Sequence, residues 1–127
     1  MAKKRHTLGR TERLKSRKSL DLLFKQGKRI TLPPFRVHYM PATDGLKFGA
    51  GVSTRNFKNA ADRNRVKRLI REAYRLQNGD MKEQYSETGK GLYLFFIYTG
   101  NELPEYKLVF DKVAQALKKL SGQLQTQ

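Results

Sequence analysis

Residues 92–98, LYLFFIY, carry no charge in a chain of 127 residues of which 30% are charged. The run is far shorter than the roughly 20 apolar residues of a membrane span, and a strand that is apolar on both faces must be covered or paired on both sides. It is the expected centre of a sheet, and the rest of the chain has to supply its cover.

The strongest candidate for that cover is residues 59–77, NAADRNRVKRLIREAYRLQ. At about 100° per residue, Val66, Leu69, Ile70, Ala73 and Leu76 share one side of a helix, and Arg63, Asn64, Lys67, Arg68, Arg71 and Arg75 share a neighbouring arc. Asn59 or Asp62 can cap its start, and Asn78-Gly79 ends it. The bland alternative is a solvated helix face. Such faces normally mix signs, whereas Arg63, Lys67 and Arg71 are like charges at i, i+4 spacing and mildly destabilise one another. With a formal net charge of +16 for the whole chain, uncompensated repulsion of this kind points to a polyanion, and nucleic acid above all.

The remaining elements follow in order. Residues 1–15 form a basic arm without periodicity, expected to be mobile. Residues 16–26 read as a short helix with Ser16 as N-cap, Leu20, Leu23 and Phe24 on one stripe, and Gly27 in a left-handed C-terminal position. Residues 28–32 are an edge strand ended by Pro33-Pro34. Residues 35–40 and 46–53 alternate, and the Thr43-Asp44-Gly45 turn between them predicts a hairpin. On that hairpin Phe35, Val37, Tyr39, Phe48, Ala50 and Val52 face the core. Arg36, His38 and Met40 lie beside Gly49, Gly51 and Ser53 on a flat opposite face, where glycine marks either a bulge or the close approach of a ligand. Residues 54–58 are a loop, and residues 80–91 a polar loop with at most a helical turn around 81–85. Pro104 opens a final helix with apolar spacing up to Gly122, and residues 123–127 are a frayed tail. No repeat or linker divides the chain, so residues 16–122 are expected to form one α/β domain.

Catalytic chemistry is hard to find. There is no cysteine, which excludes disulfides, zinc–thiolate sites and thiol nucleophiles, and leaves the cytoplasm as the default location. His6 and His38 have no neighbouring histidine or paired carboxylates, Ser53 has no nucleophile elbow, and the glycines around Phe48 lack a P-loop ending. The basic N-terminus is followed by no apolar signal core, so the chain is expected to be neither exported nor embedded in a membrane.

Arg63-Asn64-Arg65 followed by Val66-Lys67-Arg68-Leu69-Ile70-Arg71 resembles the RNR signature of the bacterial ribonuclease P protein subunits. The similarity extends through Phe48-Gly49-Ala50-Gly51-Val52-Ser53 to Leu20, Phe24 and Gly27, and spans residues 13–120. The resemblance implies a two-layer α/β sandwich of order α-β-β-β-α-β-α, similar to the second domain of a small-subunit ribosomal protein, with a left-handed β-α-β crossover. General connection rules would make that crossover right-handed. It also implies catalysis by a partner RNA that uses Mg2+, with no cofactor bound by the protein itself.

In that family, residues matching Arg55, Arg63, Asn64, Arg65, Lys67, Arg68, Arg71 and Arg75 would contact the ribonuclease P RNA. Those matching Leu20, Phe24, Arg36, His38, Gly49, Gly51 and Ser53 would hold the 5′ leader of precursor tRNA. No DNA or membrane partner is implied. The chain departs from the family pattern at Leu20, where an aromatic is frequent, at Thr54-Arg55, where paired lysines are usual, and at Tyr98-Thr99, where a basic residue is common. The competing assignment is a basic ribosomal or general RNA-binding protein without a processing role. A helix-turn-helix DNA reader is weaker, because strands flank the basic helix.

Overall fold

The computed structural model describes residues 13–14, 16–43, 45–88 and 91–125. Helix α1 (Arg17–Gln26) starts at Ser16, whose hydroxyl accepts the Ser19 N–H at 3.4 Å. Gly27 ends it, but in extended rather than left-handed backbone (φ −77°, ψ 169°). The glycine is required for space: a Cβ there would lie 2.5 Å from the Leu23 carbonyl oxygen and 2.9 Å from that of Tyr39.

Strands β1 (Lys28–Leu32) and β2 (Phe35–Ala42) pair antiparallel through a turn at Pro33-Pro34, with β1 at the sheet edge. Strand β3 (Leu46–Val52) leads into helices α2 (Ala60–Gln77) and α3 (Gly79–Thr88), followed by strand β4 (Gly91–Tyr98) and helix α4 (Tyr106–Gln125). The sheet order is β1-β2-β4-β3. The expected β2–β3 hairpin does not form. β4 enters between the two strands, antiparallel to β2 and parallel to β3, because its apolar side chains on both faces demand the central position. The connection from β2 to β3 crosses the start of β4 at Gly91, where a Cβ would lie 2.6 Å from the Gly45 carbonyl oxygen. Gly45 has positive φ (101°) and accepts the Leu92 N–H at 3.1 Å.

The main core lies between one face of the sheet and helices α2 and α4. Val37, Phe48, Leu94 and Phe96 meet Val66, Ile70, Ala73, Tyr74, Val109, Val113 and Leu120 there. Phe48 and Tyr74 stack face to face, with ring centroids 3.8 Å apart. This rotates the buried side of α2 towards Tyr74 and leaves Leu76 52% exposed and Leu69 half-buried, a narrower stripe than the periodicity suggests. Residues 79–88, read from sequence as mostly loop, are helical because Met81 and Tyr85, four apart, drop into the same core. Helix α4 runs on to Gln125, past Gly122.

A second, smaller cluster occupies the other face of the sheet, under α1. Leu23 packs there with Tyr93 and Leu14, and Leu20, Met40, Ala42 and Phe95 surround them. Of the basic arm, residues 1–12 and Lys15 lie outside the described residues. Arg13 and Leu14 form a parallel bridge with the free edge of β3, the Leu14 N–H donating to the Phe48 carbonyl at 2.8 Å.

Candidate nucleic-acid interface

On the sheet face away from α2 and α4, the strand register sets side chains in rows. Arg29 of β1 lies opposite His38 of β2, which lies opposite Phe95 of β4, which in turn pairs with Gly49 of β3. The next row runs Thr31, Arg36, Ile97, Gly51. Helix α1 covers one part of this face with Leu20 and Leu23, and the rest is a cleft. Phe24 forms its wall. The ring is 45% exposed and meets His38 edge-on at 4.9 Å and Phe95 edge-on at 5.6 Å. Phe24 is thus not a core residue, whereas Leu20 is half-buried against the cluster under α1.

Both glycines opposite this wall have a definite steric reason. A Cβ on Gly49 would lie 2.6 Å from Cδ1 of Phe95 and 3.0 Å from the Leu14 carbonyl oxygen, and one on Gly51 would lie 3.0 Å from Cε2 of Phe95. The Phe95 ring therefore lies flat across the missing side chains of β3. The room that sequence reasoning assigned to a bulge or to a ligand's approach is filled by an internal aromatic, and the glycines act on the cleft through it. Phe95 itself was missed because the strand reading credited it to the sheet centre; the signal for it is its cross-strand partner Gly49, together with Gly51 two residues on, which leave room for its half-buried ring.

Arg29 and Arg36 make the cleft cationic. Burial first, and then the positive charges of Arg36 and Arg29, hold the His38 imidazole below its ordinary value, so the ring is neutral at pH 7. Arg29 is a second residue missed from sequence, since its place opposite His38 depends on the β1–β2 register. Arg36 is half-buried, and its Nε is buried without a hydrogen-bond partner among the described residues.

Helix α2 lies in the other layer. Asn59 is its N-cap, with Oδ1 accepting the Ala61 N–H at 2.8 Å, so Asp62 does not take that part. Asn64, Arg65, Arg68 and Arg71 are exposed and Lys67 is half-buried. The Arg71 guanidinium is held below the usual arginine range by burial, and further by Arg13 and Arg68 close by. Two predicted contacts have local duties. Arg75 Nη2 pairs with Glu72 Oε1 at 2.8 Å, and Arg63 Nη1 donates to the Phe57 carbonyl at 2.8 Å.

That second bond fastens the loop before α2 to the helix itself. Phe57 is buried, its N–H and that of Asn56 donate to the Ser53 carbonyl at 3.1 and 3.3 Å, and the Asn56 amide nitrogen donates to the carbonyls of Thr99 and Gly100 at 3.0 and 3.2 Å. Ser53 is half-buried at this junction and Arg55 is exposed on the loop, away from the cleft rows. Among the described residues no group of His, Cys, Asp or Glu side chains is arranged to hold a metal ion, and no helix is long and apolar enough to cross a membrane.

The profile of the family described as Ribonuclease P matches residues 8–124. The chain is 30% identical over 119 residues to the ribonuclease P protein component of Porphyromonas gingivalis, covering 91% of this chain and 87% of that one. It is 34% identical over 86 residues to the corresponding protein of Xylella fastidiosa, covering 64% of each. The solved RNase P protein from Thermotoga maritima superposes with a TM-score of 0.69 at 27% identity, over 85% of this chain and 96% of that structure. The Staphylococcus aureus RNase P protein shares the fold, with a TM-score of 0.62 at 18% identity over 86% of this chain and 94% of that one. A mixed α/β sheet with this helix order, an RNR-bearing helix on one side and an aromatic cleft on the other all accompany a match over nearly the whole chain, and the chain belongs to the ribonuclease P protein family.

Proposed function

We infer that this chain is the protein subunit of ribonuclease P. It binds the catalytic RNA and the 5′ leader of precursor tRNA, and assists endonucleolytic removal of the leader while the RNA supplies the active site. The observation that carries this reading is family membership over residues 8–124 in a chain with two unlike cationic surfaces on opposite faces of one sheet.

On this reading the exposed arc of α2, with Asn64, Arg65, Lys67, Arg68 and Arg71, meets phosphates of the RNA subunit, and Arg55 extends that surface from the loop. Arg63 and Arg75 contribute mainly by bracing the helix. The leader lies in the cleft: a base stacks on Phe24 and Phe95, while Arg36, Arg29 and His38 meet its phosphates. Gly49 and Gly51 serve by seating Phe95, and Leu20 by supporting α1.

The reading carries with it a cytoplasmic location, one RNA-binding domain over residues 16–122, and the left-handed β3–α2–β4 crossover with its likeness to a ribosomal protein domain. Cell fractionation would test the first of these. The function itself is tested by precursor-tRNA cleavage with a bacterial ribonuclease P RNA at limiting Mg2+. Adding the chain should accelerate cleavage at the mature 5′ end, and the chain alone should cut nothing. Failure to accelerate, or cleavage by the chain without RNA, would overturn it.

A further inference from the structure

The described part of the N-terminal segment is bridged to the β3 edge, and that geometry sends two adjacent side chains to opposite layers. Paired residues on neighbouring strands project to the same face, so Arg13, bridged to Phe48, lies on the side where Phe48 stacks on Tyr74 of α2. Leu14 points the other way and is 4% exposed, packed with Leu23 of α1 and Tyr93. Arg71 is one helical turn before Tyr74, which puts it beside Arg13, and the positive charges of Arg13 and Arg68 both bear on its guanidinium. Among the described residues no carboxylate pairs with Arg13, Arg68 or Arg71, and Glu72 is already taken by Arg75.

Three like charges drawn together by strand pairing and helix packing, with no acid between them among the described residues, are arranged for an anion that is not part of the chain. We propose that Arg13, positioned by the Leu14–Phe48 backbone bond, completes a phosphodiester-binding site with Arg68 and Arg71, so that RNA lying along α2 also clamps the N-terminal segment onto the β3 edge. This rests on the reading of α2 as the RNA-subunit surface and adds to it a residue and a consequence. Because Leu14 is wedged against α1, a phosphate held by Arg13 steadies the helix that carries Phe24. Binding of the catalytic RNA and the shape of the leader cleft are then linked through two residues.

The test uses the full-length chain and its Arg13→Gln, Arg13→Lys and Lys119→Gln variants, the last an exposed lysine on α4. Affinity for a bacterial ribonuclease P RNA is measured against salt, and the rise in thermal midpoint on adding inorganic pyrophosphate is measured separately. Arg13→Gln should flatten the salt slope by about 0.7–0.9, the loss of one phosphate contact, and should reduce the pyrophosphate rise. Arg13→Lys should keep most of both, and Lys119→Gln should change neither.

An unchanged slope for Arg13→Gln, in a wild-type chain that binds the RNA, overturns the proposal. So does a pyrophosphate rise that is the same in Arg13→Gln as in wild type. If wild type fails to bind the RNA while Arg13→Gln still loses part of the pyrophosphate rise, the site stands as a phosphate site and the functional reading falls instead.

Discussion

The basic arc of α2 and the cleft beneath α1 sit on opposite faces of one sheet and are built by opposite means. On α2 the charges are exposed or half-buried, closely spaced and carried by one continuous helix, so their positions follow from helical periodicity alone. In the cleft Phe24, His38, Phe95, Arg29 and the two glycines come from α1, β1, β2, β3 and β4; the strand residues are placed by cross-strand partners and Phe24 by its ring contacts with His38 and Phe95. A surface of the first kind attracts any polyanion and tolerates imprecision, because Coulomb attraction falls off slowly with distance. One of the second kind discriminates, because stacking and close contact fail over a fraction of an ångström.

The largest effect is expected on α2. Replacing Arg68 and Arg71 together by glutamine should weaken binding to the ribonuclease P RNA and flatten its salt slope by roughly 1.4–1.8, two contacts' worth, while the preference for precursor over mature tRNA stays intact. Salt titrations with both tRNAs check this, and an unchanged slope would mean that these side chains meet no phosphate.

In the cleft, Phe24→Ala should cost about 1–3 kcal/mol in binding precursor tRNA, the range for one lost base stack, and leave mature tRNA binding nearly unchanged. Its melting temperature should fall far less than for a core truncation worth about 3–5 kcal/mol, since the ring is largely outside the core. Equal losses for the two tRNAs would remove Phe24 from the leader site.

A methyl group placed under Phe95 sharpens the same contrast. Gly49→Ala meets the ring and the Leu14 carbonyl together and should lose about 1–3 kcal/mol of stability, whereas Gly51→Ala meets only the ring and should lose less. Both should weaken leader binding without touching the salt slope of the RNA subunit. Equal stability losses in denaturant titrations would show that Leu14 yields freely at the β3 edge.

The smallest effect is in pH. Because the folded chain holds His38 below the ordinary value of 6.5, the unfolded chain takes up the proton first as pH falls. The contribution of this group to stability is complete above 6.5, declines as pH drops below it towards the folded value, and is constant lower still. His38→Gln should therefore lose less stability than wild type between about pH 7 and 5.5. An identical loss would mean that the imidazole is as free to charge in the cleft as in the unfolded chain.

Much of the fold is legible in the sequence. The α1 cap at Ser16, the β1 edge before two prolines, the central place of β4 and the final helix all follow from side-chain patterns within each segment. The misses share a cause. Local alternation in residues 35–40 and 46–53 is the same whether the strands pair with each other or with a third strand between them. Only Gly91, under the crossing chain at Gly45, hinted at the second arrangement. The α3 helix was hidden by its polar composition, since its inward-facing pair, Met81 and Tyr85, is set in a polar segment. The basic helix was correct in extent, but its buried side was turned by a stacking partner, Phe48, which helical spacing cannot name.

The sequence by itself determined the charge, the helix that displays it and the absence of cysteine chemistry, because these depend on residue identity and near-neighbour spacing. Tertiary structure alone decided that Phe95 lies across Gly49 and Gly51, that Arg29 faces His38, and that Arg13 stands beside Arg71. Each of these pairs is distant in sequence and joined only by strand register or by packing across the sheet, and register is a property of the assembled sheet rather than of any one strand.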